Sequence, residues 1–266
     1  MTGRITANGS ERQTRIYFSD FFEVQPAVLD SYGAFNVSLI NDLPLFVDPF
    51  LLYDSENPDY RGLHDGIIKY LRFLRDRAVA DELTPGSMTE WLHFGEVKQN
   101  WLGFSSSGNN GTGLGRKFAE ALARNLKATF RDFGTETISN SSHLEKLGLL
   151  DGGVGRDHLS DFTTNLIKNF LLSYTQTFAQ QNLNADQRKR VSVRRVKFNY
   201  DSRRWTAACY ELPVVNGDYV ILTPKEILTR DEAWINQGDM LRNFESICIA
   251  LPDAVLRVQV SEHFYR

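Results

Sequence analysis

Between residues 158 and 180, Leu159, Phe162, Leu166, Ile167, Phe170, Tyr174 and Phe178 recur at the three-to-four spacing of a single helix face. A stripe this wide has to be buried, so the rest of the chain is expected to assemble against this helix. Thr163, Thr164, Lys168, Asn169 and Gln176 fall off the stripe and read as its polar side. Gly153 and Gly155 lead into the helix where the backbone must turn. Asp157, Ser160 and Asp161 follow at its start, where free N–H groups and the helix dipole favour acidic side chains. Asp157 and Asp161 stand one turn apart on one face. Two readings stay open: the carboxylates cap the helix, or with Arg156 and His158 they hold a metal or position a phosphate.

At 266 residues the chain can bury a full core. We read residues 1–15 as a disordered lead and 16–266 as a single domain. The C-terminal helix ends without a stop signal, as it would in a fragment of a longer chain. A net charge of −3 gives no global signature of a nucleic-acid binder, although a local basic face is enough for one. Cys209 and Cys248 show no metal-ligand spacing and read as two buried thiols in a reducing compartment. No apolar run approaches the roughly 20 residues that cross a bilayer, and the polar N-terminus has no secretory core. No membrane association and a cytoplasmic location are expected.

Short elements precede the long helix. Residues 34–39 read as a strand. Two prolines interrupt the apolar run from 41 to 53, and Asp48 sits inside it among Val47, Phe50 and Leu51. Asp48 is either an Asp-Pro cap or a site carboxylate that needs a partner. Leu63, Ile67, Leu71 and Leu74 mark a helix over 63–80, with Lys69, Arg72, Arg75 and Arg77 on its polar surface. Residues 91–104 alternate imperfectly and read as a strand or a pair of short strands. Within them Glu96-Val97-Lys98 would place a carboxylate and an ammonium on one strand face. That is either a surface ion pair or the arrangement that metal-dependent phosphodiester hydrolysis uses, Glu96 binding Mg²⁺ and Lys98 assisting the attacking water. Next come Gly111, Gly113 and Gly115, followed by Arg116 and Lys117 at the head of a helix over 114–130. This is a flexible loop or an anion cradle in which backbone N–H groups converge on a phosphate.

After the long helix the chain turns basic. Arg188, Lys189, Arg190, Arg194, Arg195, Lys197, Arg203 and Arg204 crowd together with Asp201 as the only acid among residues 188–204. Period-two reading puts Arg195, Lys197 and Asn199 on one face and Val196, Phe198 and Tyr200 on the other. This is a half-buried strand whose outer face is either simply solvated or a phosphate-backbone contact. A turn at 201–204, a returning strand over 205–212, the hairpin signal Asn216-Gly217 and a third strand over 219–222 complete an antiparallel meander. Thr223-Pro224-Lys225-Glu226 reads as a capped helix start, and Glu211 and Lys225 flank the meander. Helices over 231–250 and from 252 onward follow.

The runs Asp42-Leu43-Pro44-Leu45-Phe46-Val47-Asp48-Pro49-Phe50, Glu96-Val97-Lys98-Gln99-Asn100-Trp101 and Asp157-His158-Leu159-Ser160-Asp161-Phe162-Thr163-Thr164-Asn165 resemble a family of uncharacterised bacterial proteins. Glu96 and Lys98 are also similar to the second half of the motif of PD-(D/E)XK-type restriction nucleases. The expected fold is α+β, with amphipathic helices around a small, mainly antiparallel sheet. The nuclease resemblance implies a restriction-endonuclease-like form of it. It also implies a metal-dependent nuclease of bacterial defence or restriction. Glu96, Lys98 and Asp161 would be its catalytic residues, and Asp48, Glu96, Asp157 and Asp161 the ligands of Mg²⁺. The glycine loop would cradle a phosphate, and Arg194, Arg195 and Lys197 would hold the nucleic acid. Two other readings are a non-enzymatic regulatory or scaffold subunit with a basic partner-binding face, as a homodimer or with a protein partner, and a nucleotide-binding transferase.

Overall fold

The computed structural model describes residues 17–40, 42–103 and 156–229. The glycine cradle (Gly111, Gly113, Gly115, Arg116, Lys117), the helix over 114–130, Gly153, Gly155, Cys248 and both C-terminal helices lie outside the described residues. So do the N-terminal lead and the side chain of Asp157.

Proline at the first helical position, behind a residue that caps, starts three of the helices. Asp48 Oδ1 accepts from Phe50 N at 2.9 Å and opens α3 (Pro49–Tyr53). Asn57 Oδ1 accepts from Asp59 N at 2.9 Å and opens α4 (Pro58–Val79). Thr84 Oγ1 accepts from Ser87 N at 3.3 Å and opens α5 (Pro85–Trp91). In each, proline supplies a helical φ and lacks an N–H that would have gone unbonded there. Ahead of them, α1 (Phe18–Phe22) and α2 (Pro26–Tyr32) are short and end on left-handed residues, Glu23 and Gly33. Residues 34–39 form no strand. Isolated bridges from Ala34 to Pro224 and from Tyr17 to Ser38 take the place of a ladder.

The long helix is two helices, α6 (Arg156–Leu166) and α7 (Lys168–Asn182), parted at Ile167, whose ψ of 8 falls outside the helical range. Of its apolar stripe, Leu159, Phe162, Ile167 and Phe178 are buried, while Leu166, Phe170 and Tyr174 are half-buried. Thr163, Thr164 and Lys168 are buried as well, against expectation. Elements close in on this helix pair from more than one side, so Thr163, Thr164 and Lys168 face protein, while Asn169 stays exposed.

The sheet has the order β1-β2-β3 and is antiparallel. β1 (Arg188–Asn199) and β2 (Arg204–Val215) are twelve residues each. β3 is only Asp218–Tyr219, shorter than the expected third strand because the chain leaves the ladder once Val220 N has donated to Pro213 O at 2.9 Å. Ile221 N donates to Gln99 O at 2.8 Å and Leu222 N to Thr175 Oγ1 at 2.9 Å. Asn216 and Gly217 turn with φ of 53° and 86°, the left-handed pair a two-residue hairpin requires. The expected helix at Lys225 is a three-residue 3₁₀ turn, Lys225–Ile227.

Two apolar clusters result. The larger joins α4, α6 and the ribbon through Ile67, Leu71, Leu74, Phe94, Phe162, Val193, Val196 and Phe198. The other joins α1, α2 and the C-terminal half of α7 through Phe18, Leu29, Phe178 and Leu222. There Tyr32 and Tyr174 each donate a hydroxyl to the other's backbone carbonyl, at 2.9 and 3.1 Å.

Candidate nucleic-acid interface

β1 and β2 pair in a register that sorts their side chains. Val191 stands opposite Tyr210, Val193 opposite Ala208 and Phe198 opposite Trp205 on the inner face. Arg190 stands opposite Glu211, Ser192 opposite Cys209, Lys197 opposite Thr206 and Asn199 opposite Arg204 on the other. Arg190, Arg194, Lys197 and Arg204 are all exposed, and the exposed side chains between them, Ser192, Thr206, Ala207 and Cys209, are small. Twelve residues at about 3.3 Å each give a ribbon roughly 36–40 Å long. Its acid, Glu211, is already engaged by Gln180 at 3.0 Å and Arg188 at 3.5 Å. Cys209 is exposed here, which corrects the reading of it as a buried thiol. The outward half of the β2 alternation carries it to the surface.

Arg195 does not belong to this face. The pairing slips between Val193↔Ala208 and Lys197↔Thr206, four steps along β1 against two along β2. Such a bulge re-aims a side chain. Arg195 sits in it with φ of 53°, a left-handed conformation that costs a non-glycine residue about 1–2 kcal/mol. Its guanidinium turns back to lie 5.5 Å from the Phe94 ring and 5.6 Å from the Trp205 ring. From there Nη2 donates to the Glu90 carbonyl. Simple alternation put Arg195 outside because it cannot register two extra residues.

Behind Arg195 lies a polar centre that periodicity missed. Lys168 is only 8 % exposed, and its Nζ donates to Asn165 Oδ1 at 3.4 Å. Asn165 Nδ2 donates in turn to Gly95 O and Asp161 O, each at 2.9 Å. Burial pulls the Lys168 ammonium down to about 8, and the neighbouring Arg195 charge pulls the same way. Burial also lowers Arg195, against the opposing pull of Glu90. The available signal was the run Thr163-Thr164-Asn165 beside a lone lysine on a strongly apolar helix.

The remaining predicted residues are placed as follows. Glu96 and Lys98 are not on a strand. α5 runs through Trp91, and Lys98 opens a 3₁₀ turn, Lys98–Asn100, that Trp101 closes with φ of 54°. The same-face argument for the pair therefore fails. Thr84 and Pro85 set the helix, and the left-handed Trp101 breaks any strand after it. Asp48 caps α3. The segments bearing Asp48 and Glu96 do meet α6, which carries Asp161, because Val47 N donates to Ser160 Oγ at 3.0 Å and Asn165 Nδ2 donates to Gly95 O at 2.9 Å. Among the described residues, however, no three His, Cys, Asp or Glu side chains gather as a metal site. Glu211 is tied to α7, and Lys225 pairs with Asp30.

These features define an α+β protein built on a long basic β-ribbon with a buried cationic centre on its inner side. The chain belongs to the family described as Domain of unknown function (DUF8370), which it matches over residues 23–236. This agrees with its resemblance to an uncharacterised family, and the match brings no link to PD-(D/E)XK nucleases. No curated protein and no solved structure matches the chain. Among the described residues no helix is long and apolar enough to cross a membrane.

Proposed function

We propose that this protein is a nucleic-acid-binding module that contacts the phosphate backbone through the outer face of β1 and β2. The observation that carries the reading is the row Arg190, Arg194, Lys197 and Arg204, exposed together on one ribbon while the chain as a whole is acidic. A solvated strand face gains nothing from concentrating cations at the expense of the rest of the surface. A two-stranded ribbon has a width that a duplex groove accepts, and small side chains between the cations allow close approach. Four phosphate contacts imply a salt slope of roughly −3 to −4 in log K against log salt.

A second reading is metal-dependent phosphodiester hydrolysis with Mg²⁺. It is favoured by the approach of the Asp48 and Glu96 segments to α6, which carries Asp161.

One experiment addresses both. Fluorescence anisotropy with labelled duplex DNA, single-stranded DNA and RNA is run across a salt series, and the same mixtures are incubated with Mg²⁺ or Mn²⁺ and resolved on gels. Salt-sensitive binding that weakens in Arg194→Ala and Lys197→Ala supports the binding module. Cleavage that requires metal and disappears in Glu96→Ala or Asp161→Ala, with fold retained, replaces it with the nuclease. Absence of both binding at low salt and cleavage with metal rejects both.

A further inference from the structure

The ribbon's inner side presents a second cationic feature, unlike the first because it is enclosed. An ammonium has three protons to donate. Lys168 places one on Asn165 Oδ1 over a long 3.4 Å contact, while the Asn165 Nδ2 protons, which go to Gly95 O and Asp161 O, can do nothing for an ammonium. Arg195 Nε is buried with no partner, although Nη2 has one. Thr164 Oγ1, one helical turn ahead of Lys168, is buried with no partner either. The Glu90 carboxylate partly offsets Arg195, while among the described residues no carboxylate offsets Lys168.

Burying a charge without a counter-charge is costly, and placing it beside a second cation adds to the cost. The backbone at Arg195 is strained in order to bring that second cation in. Strain of this kind persists where a site needs it. A packed apolar core would have been satisfied by a regular strand with Arg195 left in solvent.

We propose that Lys168 and Arg195 form a binding site for a phosphate-type oxyanion beneath the β1 bulge, with Thr164 Oγ1 as a further donor. Gly95, whose carbonyl is held by Asn165, is the exposed residue bonded to this centre. The site does not depend on the outer face binding nucleic acid. Its anion is either free phosphate or a backbone phosphate that reaches around the ribbon.

The test is thermal unfolding of the full chain with inorganic phosphate or sulfate, against chloride at equal ionic strength. The expected result is a saturable rise in Tm on the order of 2–4 °C with phosphate and sulfate that is absent in Lys168→Met. A wild type that responds no more to phosphate than to chloride overturns the site, as does a Lys168→Met variant that responds equally. Should Lys168→Met fail to fold, ¹⁵N NMR of the wild-type arginine Nε groups decides. One arginine Nε resonance, assigned through Arg195→Lys, moves saturably with phosphate if the site exists and stays still if it does not. An oligonucleotide that competes with phosphate for that shift identifies the backbone as the source, and lack of competition identifies the free ion.

Discussion

Asn165 reaches across to Gly95 and holds its carbonyl at 2.9 Å, seventy residues back in sequence. The same amide accepts from Lys168. One side chain thus fixes the 94–97 segment to α6 and gives the buried ammonium its hydrogen bond. Asn165→Leu is expected to destabilise the fold by about 2–4 kcal/mol, because the Gly95 carbonyl and the Lys168 ammonium both lose a buried partner. Urea unfolding followed by tryptophan fluorescence measures this. A loss under 1 kcal/mol would show that water replaces the amide at both ends.

Arg194 and Lys197 stand on the outer face of β1 and pack against nothing that the core needs. Single substitutions to alanine should each reduce the salt slope of oligonucleotide binding by about 1 and leave stability within about 0.5 kcal/mol. Arg195→Ala should behave in the opposite way. It should disturb stability through the Phe94 and Trp205 contacts while changing the salt slope little. Anisotropy titrations and urea melts on the three variants separate the faces. Equal slope losses for all three would mean that Arg195 meets the oligonucleotide too, as it would if a backbone phosphate reaches the site beneath the bulge.

What was legible in the sequence follows from how local each signal is. The α6–α7 stripe, the Asp48-Pro49 cap and the Asn216-Gly217 turn are set by neighbours within one or two turns of chain, so the residues announce them. The α+β class follows from these. Arg195 was misplaced because its direction depends on a pairing slip between β1 and β2, which no period within β1 encodes. Lys168 and Thr164 were assigned to a polar side because burial is decided by what packs against the helix. Glu96 and Lys98 carried a motif whose meaning required a strand, and the strand was absent. Three residues of motif do not specify their own backbone.

Asp48, which the sequence offers as a metal ligand or a cap, accepts from Phe50 N and caps α3. Asp48→Ala should cost about 1 kcal/mol, the usual loss for a removed N-cap, and Asp48→Asn should recover most of it because an amide oxygen caps equally well. Neither change should alter oligonucleotide binding in the presence or absence of Mg²⁺. Urea melts and anisotropy check both halves. Should Asp48→Asn abolish a Mg²⁺-dependent signal while preserving stability, the carboxylate is a ligand as well as a cap.

The buried ammonium gives stability a specific pH dependence. Lys168 releases its proton near pH 8 in the folded chain, and at about 10.4 in the unfolded one. Between those values the unfolded chain binds more protons, so stability rises with pH. Below pH 8 the full penalty of the buried charge is present, on the order of 3 kcal/mol. Above pH 10 the trend reverses. Burial pushes Tyr60, Tyr200 and Tyr219 up to about 12, so the fold retains phenolic protons that the unfolded chain loses. Urea unfolding at intervals from pH 7 to pH 11 should therefore show a maximum near pH 10. Lys168→Met should remove the rising limb and leave the falling one. Saturating phosphate, by favouring the charged amine, should move the rising limb to higher pH. A flat profile between pH 8 and 10 in the wild type would mean that Lys168 is already neutralised by a group that solvates it.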